Sequence, residues 1–146
     1  MANIGVFATI LDAAGHLLLV RQNYAGRVWS QPGGRVEPKE SPLEALHREV
    51  REETGHRIQV ERFVGAYSRT YDDDLVLAFI GHSIGSEPWA PDGEISAIGF
   101  FAPDRLPEPM NLRTRIRIAD ALAGRSGLVR VFDAPENQQA SFPEGA

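Results

Sequence analysis

The chain has 146 residues, 42% of them hydrophobic and 24% charged, with no cysteine and a formal net charge of −5. That length suits one domain with a real core, and the missing thiols exclude a disulfide scaffold, a thiolate metal site and a cysteine nucleophile. The acidic balance argues against duplex nucleic acid as a partner, no apolar run approaches a membrane span, and a start without a basic leader predicts a cytoplasmic protein.

Residues 4–11 (IGVFATIL) and 16–22 (HLLLVRQ) are apolar, β-branched-rich runs broken by Asp12-Ala13-Ala14-Gly15, which predicts a β-hairpin. Residues 23–40, rich in Gly, Pro, Asn and Arg, read as a loop around Pro32-Gly33-Gly34. A helix over 42–54 follows. Ser41 is its N-cap, Pro42 suits the first turn, Glu44 completes a capping box, and Gly55 fits a left-handed stop. Leu43, Leu46 and Val50 recur at helical spacing as its core face.

Strands are expected at 58–69 and 75–85, joined by the polar loop Thr70 to Asp74, and at 95–102 after a loop around Ala90 to Glu94. A second helix is expected over 111–123, with Leu112, Ile116, Ala119 and Ala123 inward and Gly124 after it, then a short strand at 128–132. Residues 1–134 form a single domain, and 135–146 read as a flexible polar tail. Two helices flanking a mixed sheet give an α/β layered domain.

Glu49, Glu52 and Glu53 lie at relative positions 0, +3 and +4, on neighbouring turns of one helix face. Like charges at these spacings repel. Taken alone, the triplet reads first as a solvated face with Arg48 bridging to Glu52. The apolar stripe beside it, however, sets the acids at the edge of the core, where hard divalent cations would relieve the repulsion.

Segment 34–56, GRVEPKESPLEALHREVREETGH, is similar to the Nudix box, G-x5-E-x7-R-E-U-x-E-E-x-G-U with U a bulky apolar residue. Gly34, Glu40, Arg48, Glu49, Val50, Glu52, Glu53 and Gly55 fall on the pattern. Seven fixed identities at a background of roughly 7% each arise by chance on the order of 10⁻⁸ per start position, so the motif carries the resemblance alone. Trp29-Ser30-Gln31-Pro32-Gly33 resembles the family's lead-in, and His56 departs from the final apolar position, with Ile58 as the residue to pack in its place.

The resemblance implies an α/β/α sandwich with a mixed β-sheet. It also implies Mg²⁺-dependent hydrolysis (Mn²⁺ as substitute) of a pyrophosphate bond in a nucleoside diphosphate linked to another moiety. By that likeness Glu49, Glu52 and Glu53 hold metal, with the carbonyl of Gly34, and Arg48 orients Glu49 or an adjacent acid. Glu40 is either a lesser ligand or a brace for the loop–helix turn. The general base stays open between a box glutamate and a loop acid, with Glu94 favoured over Asp92 and Asp72 to Asp74.

For phosphate contacts the candidates are Arg21, Arg27 and Arg35, with Gly33 and Gly34 permitting close backbone approach. Tyr71 resembles a marker of diadenosine polyphosphate hydrolases. Trp29, Tyr67 and Tyr71 either stack on a base of the substrate or pack in the core, with core packing favoured for Trp29. Arg113, Arg115 and Arg117 alternate around the second helix and are assigned no function. The partner is a small-molecule nucleotide, and a homodimer follows by family analogy alone. The rival function is a Nudix-like binding or regulatory domain without turnover. An isomerase of the same fold is set aside because it looks to a cysteine.

Overall fold

The computed structural model describes residues 2–135. Its strands are β1 (Asn3–Leu11), β2 (Leu17–Gln22), β3 (Trp29–Ser30), β4 (Gly33–Arg35), β5 (His56–Arg69), β6 (Asp74–Ser86), β7 (Ile95–Phe101) and β8 (Leu128–Phe132). The helices are α1 (Pro42–Thr54) and α2 (Leu112–Leu122), with a 3-10 turn at Ala25–Arg27. The tail expected beyond residue 135 lies outside the described residues.

The sheet is mixed and runs β3-β2-β1-β6-β5-β8, with β4 also beside β1 and β7 also beside β2. β1 lies parallel to β6 along its whole length, from Asn3↔Asp74 to Leu11↔His82. The expected hairpin is only its turn. Asp12 closes it by accepting from the backbone of Ala14 and His16, but β1 and β2 share the single pair Leu11↔Leu17 and then part. β2 goes on to pair with β7 and β3, while β1 takes β4 through Gly5↔Arg35, Val6↔Gly34 and Phe7↔Gly33. The split brings the glycine segment, expected as loop, into the sheet as a short strand.

Side-chain alternation along the strands feeds two cores. Val6, Ala8, Ile10 and Leu18 pack with Ala45, Leu46 and Val50 of α1 and with Ile58. On the opposite face Val64, Tyr67, Ala78, Ile80 and Phe132 meet Ile116 and Ala121 of α2, and Leu17 and Leu19 meet Ile118. The result is the α/β/α sandwich, and Ile58 packs in the α1 core as the substitute for His56. His56 itself bonds Ser83 at 2.7 Å and stands edge-on to Phe100.

Two helix faces differ from expectation. α1 begins and ends where predicted, with both capping-box bonds and Gly55 at φ 74°. Leu43, however, is 45% exposed because the first turn overhangs the core, and Ala45 takes its place. On α2 the expected stripe is turned outward: Leu112, Ala119 and Ala123 are exposed, and Ile116 alone of the four is buried. Thr114, Arg117, Ile118, Asp120 and Ala121 face inward with it. A buried polar network reads as surface in a hydrophobicity pattern, which explains the inversion.

Candidate active site

At about 100° per residue, Glu49 and Glu53 fall inside the arc that Ala45, Leu46, Val50 and Thr54 bury, and Arg48 and Glu52 fall beside it. The side chains follow that geometry. Glu52 is 59% exposed and Glu49 only 16%. Glu53 accepts the backbone N–H of Gly33 at 2.8 Å. A Cβ on Gly34 would stand 2.6 Å from the carboxyl carbon of Glu49 and 2.8 Å from both its oxygens. A glycine at 34 is therefore what lets β4 and α1 close on each other.

Arg48 binds this arrangement together. Its Nε and Nη2 donate to the two oxygens of Glu40 at 2.8 and 3.0 Å, a fork that fixes the guanidinium plane. Nη1 donates to Glu49 at 2.9 Å and to Glu52 at 3.3 Å, and Nη2 also reaches the carbonyl of Arg35 at 3.2 Å. Glu40 further accepts the N–H of Glu37 at 3.1 Å, so it is placed at the loop–helix turn.

The electrostatics follow from burying like charges. Burial drives the Glu53 carboxyl up to about 8 against the pull of the Gly33 N–H, and the charges of Glu49, Glu94 and Asp92 add to the rise. Burial likewise raises Glu49, opposed by Arg48 and reinforced by Glu52 and Glu94. Glu94 thus sits in the field of both helix acids. Its own N–H is held by Asp92 at 2.8 Å, and its carbonyl accepts from the N–H of Asn23 at 2.8 Å, which ties the β7 lead-in to the loop after β2.

That tie brings in a residue the sequence reading missed. Tyr24 is 55% exposed, and its hydroxyl is raised first by partial burial, then by the charges of Glu53, Glu94 and Glu49, so it feels the same carboxylates. Its only signal in the sequence is an aromatic residue in the loop between Arg21 and the glycines.

The other candidates divide. Arg21 donates to the carbonyl of Arg27 at 3.2 Å, and Arg27 itself is exposed with φ 54°. Arg35 and Gly34 line a shallow cavity of about 220 Å³ with Phe7, Asp74 and Val76. Tyr71 lies elsewhere, in the β5–β6 turn beneath the guanidinium of Arg113 at 5.3 Å. Asp72 and Asp74 both pair with Arg69. Trp29 meets Phe101 edge-on at 5.0 Å, and buried Tyr67 donates to Asp120 at 2.8 Å, so both pack in the core.

Among the described residues no three His, Asp or Glu side chains converge as a ready-made metal cage. Arg48 occupies Glu49 and Glu52 instead. The donor set still fits a hard divalent ion, because Mg²⁺ is commonly bound through one or two carboxylates plus water and substrate phosphate. Two half-buried carboxylates, raised first by burial and then by neighbouring acids, supply such donors, and a cation would hold both ionised.

The layering and the short strand feeding a glutamate-bearing helix define the class, that of a Nudix-type hydrolase fold. Residues 1–121 match the NUDIX domain family, and the chain belongs to the Nudix hydrolases. It is 33% identical over 131 residues to a MutT-like protein of Streptomyces ambofaciens, covering 90% of this chain and 84% of that one. A CTP pyrophosphohydrolase of Escherichia coli is 39% identical over 85 residues, covering 56% of this chain and 63% of the other. The crystal structure of an ADP-ribose pyrophosphatase from Streptococcus suis superposes with a TM-score of 0.72 at 25% identity, over 91% of this chain and all of that one. The protein is accordingly an enzyme of the pyrophosphohydrolase kind. No helix among the described residues is long and apolar enough to cross a membrane.

Proposed function

We propose that the protein hydrolyses a phosphoanhydride bond in a nucleoside diphosphate linked to another moiety, in the cytoplasm, with Mg²⁺ or Mn²⁺ held by Glu49, Glu52 and Glu53. The observation that carries this reading is the placement of Glu49 and Glu53 against Gly33 and Gly34, with their charges stacked on one side of α1. The relatives named for CTP and ADP-ribose chemistry differ in substrate but share a nucleotide phosphoanhydride, which supports the reading at the level of class. When bound, the divalent ion neutralises the diphosphate and makes a coordinated water more acidic.

This chain's residues do the positioning that phosphoryl transfer needs. Arg48 holds Glu49 and Glu52 in orientation, and the Gly33 N–H holds Glu53. The carboxylate of Glu94 takes the proton of the attacking water from the loop side. Arg21, Arg27 and Arg35 meet phosphate oxygens, and the carbonyl of Gly34 adds a further oxygen donor for the ion.

No observation favours a binding domain without turnover. The test is a screen of nucleoside triphosphates, dinucleoside polyphosphates and sugar nucleotides with Mg²⁺, with Mn²⁺ and with chelator. Metal-dependent release of a nucleotide fragment is the expected result. Metal and nucleotide binding without turnover across that panel overturns the proposal.

A further inference from the structure

The two ends of the sheet are finished differently. At one end β3 is only two residues long and its backbone is engaged: the N–H of Trp29 donates to the carbonyl of Pro109 at 2.8 Å, and Trp29 bridges to Met110. A short, covered edge is a common protection against pairing with another chain. At the other end β8 runs for five residues beside β5, and among the described residues no strand lies on its outer side. Its register is unbroken from Gly65↔Leu128 to Arg69↔Phe132, so no bulge twists the edge away.

Other protections of an edge strand are missing from β8 as well. It contains no proline and no lysine, and its charged residue, Arg130, is turned inward onto Asp120 through two bonds of 2.8 Å. Leu128, Arg130 and Phe132 are buried on the α2 side, whereas Val129 is 48% and Val131 43% exposed. The backbone alternates too. The carbonyl of Phe132 faces β5, where it accepts the N–H of Thr70 at 3.0 Å. Successive residues of a strand turn their peptide groups to opposite sides, so the N–H and C=O of Val129 and Val131 point outward along the edge.

The strand reads almost the same in both directions. About Arg130 it runs apolar, Val, Arg, Val, apolar, and exposed residues of opposite sign stand beyond its ends, Arg125 before it and Asp133 after it. A two-fold axis at Arg130 therefore sets Val129 opposite the partner's Val131, and that pair exchanges backbone hydrogen bonds in an antiparallel ladder. The same axis brings Arg125 to the end that carries the partner's Asp133. The two Arg130 side chains lie on the α2 face, each already compensated by its own Asp120. On the α1 face the valine pair extends an apolar row, because Val129 stands beside Ala66, Ala66 beside Leu77, and Leu77 beside Val6 of the α1 core.

We infer that β8 is an interface between two copies of this chain, which pair edge to edge and join their sheets into one. A strand donated by an unrelated protein would require no symmetry in β8. The near-palindrome and the opposite charges at its ends make the edge complementary to itself, which selects a second copy. The contact is short, smaller than a standard stable interface, so the association is weak and grows with concentration.

Sedimentation velocity of the full chain over about 5 to 500 µM should show the mass rising from that of one chain toward that of two. Val131→Lys puts a charge on the exposed edge and should weaken association by about tenfold or more, whereas Val131→Thr, still β-branched, should keep it. Far-UV spectra confirm that both variants are folded. Asp133→Arg should weaken the dimer about threefold, and adding Arg125→Asp should restore it, a rescue that a loss of fold cannot imitate. Amide exchange at Val129 and Val131 should slow as protein concentration rises.

A chain that stays monomeric at about 500 µM overturns the inference. So does protection of those two amides that is independent of concentration, since the edge is then covered within a single chain. A dimer that survives Val131→Lys overturns it as well, because another surface then holds the copies together, and so does failure of the paired charge reversal to restore association.

Discussion

The two helices cover opposite faces of one sheet, and each buries charge where a plain core would be apolar. α1 half-buries Glu49 and Glu53 against backbone that lies within twenty residues of them in sequence. α2 buries Arg117 and Asp120, whose partners lie far away: Gln31 is 86 positions from Arg117, and Tyr67 is 53 from Asp120. The first assembly leaves its acids close together with raised carboxyls. The second compensates its charges with hydrogen bonds. The contrast separates a site from a brace, since repulsion left in place suits a cation whereas matched charges serve the fold.

Breaking the brace should give the largest effect. Asp120 receives Arg130 through two bonds of 2.8 Å and Tyr67 through a third of the same length. Asp120→Asn leaves the buried guanidinium facing a neutral amide, and should cost about 3 kcal/mol and lower Tm by roughly 10 °C. Thermal melts read this directly. The same pair gives a pH signature. Burial pushes the Asp120 carboxyl up, but the bonds and charge of Arg130 and the Tyr67 hydroxyl outweigh it and hold the group below its ordinary value. A depressed folded pKa means the unfolded chain binds more protons near that pH. The contribution is present above the unfolded value of about 3.9 and disappears as pH falls through the folded one. Acid unfolding of the wild type should show this dependence, and the Asn variant should lack it.

On the other face the signs should reverse, with activity lost and fold kept. Glu53→Gln retains the acceptor for Gly33 N–H but removes the charge. kcat should fall on the order of 10²-fold or more, with Tm unchanged or raised. A variant that keeps its Mg²⁺-dependent turnover breaks the contrast between the faces. Gly34→Ala tests the same site through shape. Its Cβ would displace the Glu49 carboxylate, and about a tenfold loss in kcat/KM is expected. A crystal structure of the variant should show Glu49 in another rotamer.

How much of this was legible follows the same division. The α1 boundaries, the cap residues and the acidic ridge lie in one continuous segment, so spacing alone predicts them. The parting of β1 from β2 was not legible, because it depends on β4 and β6 competing for the edges of β1. The inward face of α2 was hidden because Thr114, Arg117 and Asp120 are polar in composition and buried only through partners elsewhere in the chain. Tyr24 was hidden for a related reason, since the Asn23–Glu94 backbone bond brings its loop to the acids.

The smallest expected effect sharpens the comparison at the end of α1 that carries no chemistry. Ser41 accepts the N–H of Glu44 at 3.1 Å, and Glu44 accepts the N–H of Ser41 at 3.0 Å. Both residues are exposed, and the turn they cap overhangs the core. Ser41→Ala removes one of these bonds and should cost about 1 kcal/mol. The acids on the third and fourth turns are fixed by Arg48, Gly33 and packing rather than by the cap. Denaturant melts should therefore show a small drop in midpoint while kcat stays at the wild-type value. A parallel loss of activity would show that α1 positions its glutamates from its amino-terminal end, and the burial of Glu49 and Glu53 would no longer suffice to explain the site.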